Sequence, residues 1–291
     1  MERKFTWLRV VVVGAGNLAW SLLPALSKAL PLPLELWGRH RDTAQPLLAR
    51  CRATWHPLPP SIWEEPAPAP TSSSPESPAT IAPGSLYVVC LPDTMLPRSM
   101  AALDCQNSLV IHCSGATPLI ELKQAHSAVL YPLQTFTKGR QIDFSHLPLY
   151  VEGSSEKALQ EVSAIAHGLS SRVAVCPTPQ RLKLHIIGVL TNNFITHLLT
   201  LTAAYCAKCH IEENAYLPLL QETLDKIKTM PPHLAQTGPA RRNDQQTLCA
   251  HQALLASVMP SLLPVYNALS ESILNLYHPR RHDAPRDPST K

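Results

Sequence analysis

Residues 10–19 read Val10-Val11-Val12-Val13-Gly14-Ala15-Gly16-Asn17-Leu18-Ala19, and this stretch decides the fold. Four β-branched residues predict a strand. Gly14 then permits a tight turn, Gly16 clears the side chain from where the backbone would approach a pyrophosphate, and Ala19 is small enough for a helix to pack on the strand. Phosphate oxygens at this point would meet the N–H groups that a helix N-terminus leaves unpaired. Gly14, Gly16, Asn17 and Leu18 are therefore the expected cofactor loop, and the alternative is an ordinary strand-to-helix turn. The strand before it and the helix after it, about residues 18–29, are the context that gives a glycine pattern of this kind its meaning.

Working outward, Leu32 to Trp37 predicts a second strand that exits through Gly38, Arg39, His40 and Arg41. In a dinucleotide-binding sheet this exit lies beside the adenosine ribose, where a carboxylate accepts from a free 2′-hydroxyl and an arginine receives a 2′-phosphate. Arg39 and Arg41 occupy the tip and no acidic residue appears before Asp42, so NADP is expected in preference to NAD. The plain alternative makes both arginines surface charges.

Residues 56–84 hold nine prolines and a run of serines, a composition expected to form a loop or an insertion without regular elements. Buried-strand patterns resume at 86–91, ending in Leu91, Pro92 and Asp93, and at 108–113, ending in Ser114 and Gly115. Leu91, Pro92, Asp93, Ser114 and Gly115 are the expected continuation of the cofactor site along the strand ends. Ser114 and Gly115 equally suit a turn that caps a helix over 119–124. Further strands are expected at 128–131, 147–152 and 171–176, with a helix over 155–168. From Pro179 the pattern turns helical, with helices expected over 180–209, 214–229 and 244–277. The fold class is thus a doubly wound, mostly parallel α/β sheet followed by an all-helical C-terminal domain. Its boundaries are 1–178, 179–278 and a disordered tail at 279–291, and a substrate is expected in the cleft between the domains.

On the first of these helices His185, Val189, Asn192 or Asn193, and Thr196 recur at three- to four-residue intervals, so His185 and an asparagine are expected on one face. His185 is the acid/base candidate, because imidazole changes charge near neutral pH, with Asn193 orienting substrate. The competing reading is a pair of satisfied core polar groups or a dimer contact. Farther on, Arg242 offers a planar fork to an anionic group and Asp244 is a polar partner, with His251 two helical turns beyond it. Asn243 or Asp244 is also a natural helix cap. Cys206-Ala-Lys-Cys209-His210 spells a haem-attachment signature, but it falls in a helix with no export signal before it, so neither haem nor another metal is expected.

Composition bounds the rest. With 291 residues, 45% hydrophobic and 16% charged, the chain has material for about two globular domains. A net charge of +4, carried partly by Arg280, Arg281, Arg286 and Lys291, gives no nucleic-acid surface. Gly14 and Gly16 interrupt what would otherwise imitate a signal core after Arg3, Lys4 and Arg9, and no uninterrupted membrane-length apolar window appears. Scattered cysteines, among them Cys90, Cys113 and Cys176, suit a reducing compartment, and the cytoplasm is the default.

Taken together, GAGNLA, WGRHR, CLPD, HCSGA, YPLQTF, the pair of His185 and NNF, and TGPARRND resemble a family of Rossmann-like oxidoreductases whose C-terminal half is a domain of unknown function. That family is similar in plan to pyrroline-5-carboxylate reductase, deazaflavin-dependent NADP oxidoreductase and 6-phosphogluconate dehydrogenase. The resemblance implies a cofactor loop at Gly14 to Leu18, 2′-phosphate contact at Arg39, and a cleft drawing on Pro92, Asp93, Ser114, Gly115, His185, Asn193, Arg242 and Asp244. It also departs from the pattern. Tyr131 stands where the family usually has histidine before PLQTF, and the lysine and asparagine four residues apart that serve the similar 3-hydroxyacid dehydrogenases are missing, since Lys183 is followed at that spacing by Ile187. The expectation is an NADP-dependent oxidoreductase acting on a small carbonyl, imine or hydroxy acid, with a non-catalytic NADP-binding sensor or scaffold as the alternative. A homodimer through the apolar helices is expected in either case.

Overall fold

The structure is a computed structural model that describes residues 7–63, 80–212 and 214–279. The expectations for the tail from Arg280 onward and for 64–79 of the proline-rich stretch lie outside these residues. The chain divides into two compact units, Met1–Asn192 and Asn193–Lys291.

In the first unit the elements run β1 (Arg9–Val13), α1 (Asn17–Ala29), β2 (Leu34–Gly38), α2 (Arg41–Leu48), β3 (Ala53–Pro57), α3 (Pro60–Trp63), β4 (Ser85–Val89), α4 (Leu96–Ala102), β5 (Leu109–His112), β6 (His126–Pro132), β7 (Leu149–Gly153), α5 (Glu156–Leu169), β8 (Val173–Val175) and α6 (Thr178–Gly188). The strands form one sheet in the order β3-β2-β1-β4-β5-β6-β7-β8. Every neighbouring pair is parallel except β6 with β7. Because β1 lies between β2 and β4, the winding reverses there, and the strand ends flanking that reversal are where ligands of such sheets bind.

The strands read as continuous apolar runs because both faces are covered. Val10 and Val12 join one core with Leu22, Leu23 and Leu26 of α1 and Val162 and Ile165 of α5. Val11 and Val13 join the other with Ile62 of α3 and Leu96 and Met100 of α4. Each of these side chains is fully or almost fully buried, a contribution of roughly 1.5–3 kcal/mol apiece before the entropy of ordering is set against it.

Several expectations need correction. Residues 119–124 form no helix; the segment after β5 is an extended loop whose backbone is taken up by side chains from elsewhere. The stretch expected to lack regular structure from 56 onward contains the end of β3 and the turn of helix α3, with Pro60 at its start. Proline fits a helix's first turn because its missing N–H has no partner there anyway.

The second unit holds α7 (Phe194–Lys208), α8 (Leu217–Thr229), α9 (Pro232–Ala235), α10 (Pro239–Arg242), α11 (Gln245–Val258) and α12 (Leu263–Tyr277). Its buried side chains include Ala240, Leu248, Leu255 and Met259. The single helix expected over 244–277 is two, broken at Met259–Leu262 where Pro260 removes a backbone donor, with Pro264 in the first turn of α12. The helix expected over 180–209 starts earlier, at Thr178, and contains a π-helical segment at Val189–Asn193 between α6 and α7. That extra width breaks the regular spacing on which one shared face for His185 and Asn193 depended.

Candidate functional site

The glycine turn ends β1 and opens α1. Gly14 has φ +101°, and a Cβ on it would lie 2.8 Å from the Cys90 carbonyl oxygen and 2.9 Å from Leu91 Cδ2, so only glycine fits. Gly16 differs. A Cβ there would meet only the Cys90 oxygen, at 3.8 Å, which is ordinary contact. Among the described residues nothing requires a glycine at 16, so its bare backbone leaves space for a group that comes from outside. Gly16 is also the N-cap of α1, no side chain caps it, and the first turn carries no acidic residue. Those N–H groups therefore form an uncovered anion site of the kind that holds a dinucleotide pyrophosphate. The residues present fit such a group.

Around the cradle, Asn17 is exposed and its Oδ1 accepts from the Lys138 N–H at 3.4 Å, while Leu18 packs against the core beneath. Arg39 and Arg41 are exposed at the end of β2, each over an indole: Arg39 lies 5.7 Å from the Trp63 ring and Arg41 5.7 Å from that of Trp55. Such stacking orients a guanidinium without using its N–H donors. Leu91 walls the Gly14 turn, and Pro92 and Asp93 are exposed at the β4 end.

The Ser114 hydroxyl accepts from the N–H groups of Ala116 at 3.1 Å and Thr117 at 2.8 Å, so it shapes its own loop. Gly115 has a stricter reason to be glycine. A Cβ on it would fall 2.7 Å from both His185 Nδ1 and Tyr131 Cζ. The absent side chain thus lets the loop after β5, the end of β6 and α6 converge, with the Tyr131 and His185 rings 6.3 Å apart. Burial, aided by Tyr150 and opposed by Arg181, raises the Tyr131 phenol above its ordinary value, so it is protonated at neutral pH.

Beneath this cluster lies a polar network that sequence reasoning missed. In the sheet, His112, Val129 and Glu152 are neighbours in register, which puts the histidine and the carboxylate on one face to either side of the valine. Arg181, one helical turn before His185, is 1% exposed and covers them. It pairs with Glu152 and donates to the Thr117 carbonyl at 2.7 Å and Thr178 Oγ1 at 3.1 Å. Thr178 in turn donates to Glu152 through its N–H at 2.9 Å and its hydroxyl at 2.8 Å, and accepts from the Leu119 N–H.

His112 Nδ1 accepts from the Ser114 N–H at 3.2 Å, so the proton sits on Nε2 and is donated to the Pro118 carbonyl at 3.1 Å. Burial first, then Arg181, lower the His112 pKa to about 4. Burial raises the Glu152 carboxyl, but hydrogen bonds from Arg181 and Thr178 outweigh that and hold it below the usual range. The only sequence signal for this network was the four-residue spacing of Arg181 and His185; the partners at 112, 117 and 152 are brought by the sheet.

In the second unit Asp244 is the N-cap of α11, its carboxylate accepting from the Thr247 N–H at 3.1 Å and hydroxyl at 2.7 Å. Those bonds, with smaller attractions from Arg242 and His251, hold it below the usual carboxylate range. Asn243, in the left-handed region at φ 55°, ends α10. Arg242 is exposed and lines a concavity of about 490 Å³ with Thr237, Gly238, Arg241 and His278. His251 bonds the Tyr266 hydroxyl at 2.9 Å. Asn193 is exposed at the end of the π segment. Cys206 is buried in α7 while Cys209 and His210 follow its last turn, and no cluster of three or more metal-ligating side chains occurs among the described residues.

Fold and cradle together define a Rossmann-like chain with a helical C-terminal unit. Residues 147–273 match the family described as a domain of unknown function, DUF2520. Among solved structures, it is similar to a candidate NADP oxidoreductase from Bacteroides fragilis, at 29% identity and TM-score 0.77 over 94% of this chain and 100% of that one. A protein from Thermotoga maritima shares the fold at 19% identity and TM-score 0.61, over 92% and 98% of the two chains. So does a reductive aminase from Aspergillus terreus solved with NADPH and ethyl levulinate, at 15% identity and TM-score 0.56, over 93% and 95%. No curated protein sequence matches the chain.

Proposed function

We propose that this protein is an NADP(H)-dependent oxidoreductase acting on a small carbonyl, imine or hydroxy-acid substrate. The observation that carries the reading is Gly16, a glycine that the chain's own packing does not require, at the uncapped start of α1. The NADP named for the Bacteroides fragilis neighbour supports the cofactor. When bound, the reduced nicotinamide supplies a hydride. Gly14 and Gly16 bring backbone N–H groups to the pyrophosphate, and Arg39, with Arg41 beside it, receives the 2′-phosphate. His185 exchanges a proton with the substrate heteroatom, and the protonated Tyr131 phenol against Gly115 stands beside it where the family usually has histidine. Asn193 orients the substrate. Arg242 offers its guanidinium to an anionic group, while Asp244 acts first as a helix cap.

Parallel calorimetric titrations with NADPH and NADH test this reading. Tight NADPH binding that weakens about tenfold or more in Arg39→Ala, the scale of one lost charge-assisted bond, supports it. Binding of neither nucleotide refutes it. NADPH binding with no turnover across carbonyl, imine and hydroxy-acid panels favours the sensor reading, which the departure at Tyr131 also favours.

The proposed assembly is a homodimer through the α6–α7 run. Leu182, Ile186, Ile187, Leu190 and Phe194 are all exposed along it, and large apolar side chains left in water in such number call for a partner. By length and composition the run, Thr178–Lys208, is also apolar enough to cross a membrane. Lys183, His185, Asn192, Asn193 and His197 make a second copy the better partner, because polar groups at membrane depth are costly. Light scattering that gives a monomer, or recovery of the protein only in detergent, overturns this assignment. All eight cysteines are free thiols, in keeping with a cytoplasmic location.

A further inference from the structure

Cys90 and Cys113 stand at the ends of neighbouring strands beside the dinucleotide cradle, and the chemistry proposed above uses neither. Val89 of β4 pairs with His112 of β5, so each cysteine is the next residue along two parallel strands. Adjacent strands lie about 4.8 Å apart, within the Cα separation of roughly 4.4–6.8 Å that a disulfide spans. Both side chains join the same apolar face as Val88 and Ile111, and the Cys90 thiol influences the ionisation of Cys113. Cys113 is buried, whereas Cys90 is only partly so. The Cys90 backbone is also the wall of the glycine turn. Its N–H donates to the Val13 carbonyl at 2.8 Å, and its own carbonyl oxygen is the atom that leaves no room for a Cβ on Gly14.

We propose that Cys90 and Cys113 are a reversible disulfide site, oxidised by a low-molecular-weight disulfide such as oxidised glutathione, and that closing the bond weakens dinucleotide binding. The second half rests on the NADP(H) reading above. In the first step the Cys90 thiolate, the more accessible of the two, attacks the oxidant, forming a mixed disulfide and releasing one glutathione thiolate. The Cys113 thiol then loses its proton to water and displaces the second glutathione. Two protein thiols are oxidised by two electrons to one disulfide, and one oxidised glutathione is reduced to two glutathione molecules.

The neighbouring Cys90 thiol and burial push the Cys113 thiol well up, so this second step is slow at neutral pH and quickens as pH rises. Because Cys90 is only partly buried, the bond stays within reach of thiol reductants, and exposed disulfides are among those readily reduced again. Drawing the Cys90 sulfur toward β5 shifts a backbone that touches the Gly14 turn, which is how the cross-link reaches the cradle.

The test treats the full chain with oxidised glutathione, alkylates it, digests it without reductant and maps the peptides by mass spectrometry. NADPH binding is measured by calorimetry before oxidation, after it, and after dithiothreitol. The expected result is a Cys90–Cys113 cross-linked peptide, a tenfold or greater rise in the NADPH Kd, and recovery on reduction. Cys113→Ser is expected to stop at the mixed disulfide on Cys90. Exposed Cys249 is the internal control for oxidant reactivity. If Cys249 is glutathionylated while Cys90 and Cys113 are recovered alkylated or only as mixed disulfides, the site is refuted. Cross-linked protein that binds NADPH as the reduced form does refutes the coupling to binding. Reduced protein that binds no NADPH refutes the NADP(H) reading and the coupling with it, while the peptide map still decides the disulfide.

Discussion

Arg181→Met removes the centre of the buried network while keeping most of the side chain's apolar length. The substitution deletes the bonds to Glu152, to the Thr117 carbonyl and to Thr178 Oγ1, and leaves Glu152 with only the two donors of Thr178. Breaking a buried ion pair from one side costs about 3–5 kcal/mol because the remaining charge is uncompensated. The Glu152 side chain is 17% exposed and recovers some hydration, which places the expected loss near the lower end, about 3 kcal/mol. For a unit of this size that is roughly 6–12 °C in Tm.

All five tryptophans, Trp7, Trp20, Trp37, Trp55 and Trp63, lie in the first unit, so urea unfolding followed by tryptophan fluorescence reads that unit alone. Arg181→Met with Glu152→Leu is expected to recover much of the loss, since neither charge is then left buried. In the native state Glu152 is held below its ordinary range, so the unfolded chain binds more protons as pH falls through the carboxylate region. Its contribution is complete above a pKa of about 4.5 and is lost below it, and Arg181→Met should lose that part of the pH dependence. A single variant that unfolds at the wild-type urea concentration would show that the network does not hold the loop.

Three further outcomes follow from the geometry. Gly16→Ala should fold normally, since its Cβ would meet only one atom at 3.8 Å, yet bind NADPH at least tenfold more weakly; Gly14→Ala, at φ +101° and 2.8 Å from the Cys90 oxygen, should lower Tm as well. His112 is buried with a pKa of about 4, against about 6.5 when unfolded, so native stability should fall by about 3 kcal/mol from pH 6.5 to 4 and be flat in this respect above 6.5. Urea midpoints at pH 7, 5.5 and 4.5 check it, and His112→Asn should flatten that window. Ile186→Glu with Phe194→Glu should convert the expected dimer to a monomer in light scattering, because both residues are exposed on the α6–α7 run.

The cradle was legible because its requirements are local. Strand, glycine turn and helix start fall within ten consecutive residues, and each has a steric reason that can be stated without tertiary structure. The arginines after β2 were legible for the same reason, although their stacking on Trp55 and Trp63 was not. The short helix α3 was hidden because a proline-dense composition reads as loop, whereas proline at a helix start is harmless. The absent helix at 119–124 shows the reverse: the N–H groups of Leu119, Lys123, Gln124 and Ala125 are claimed by Thr178 and Asp104, side chains far along the chain. The π segment could not be read either, since 3.6-residue periodicity is the assumption it violates. Nothing in TPQRLKLH sets Arg181 apart, and only the register that places His112 and Glu152 on either side of Val129 gives it a buried role.

The bond from Arg181 to the Thr117 carbonyl has a consequence for how the chain is made and cut. Its two ends are 64 residues apart, and at about 5–20 residues per second a ribosome needs roughly 3–13 s to supply the second after the first. Through that interval β6, β7, α5 and β8 are added while the loop carrying Gly115 lacks its bond to Arg181. Excision of the N-terminal half at residue 178, where the sequence turns from strands to helices, would make that transient condition permanent, leaving Glu152 and His112 without their cover. A self-sufficient fragment must continue at least through α6, so the first functional unit is finished only after the helical part of the chain has begun.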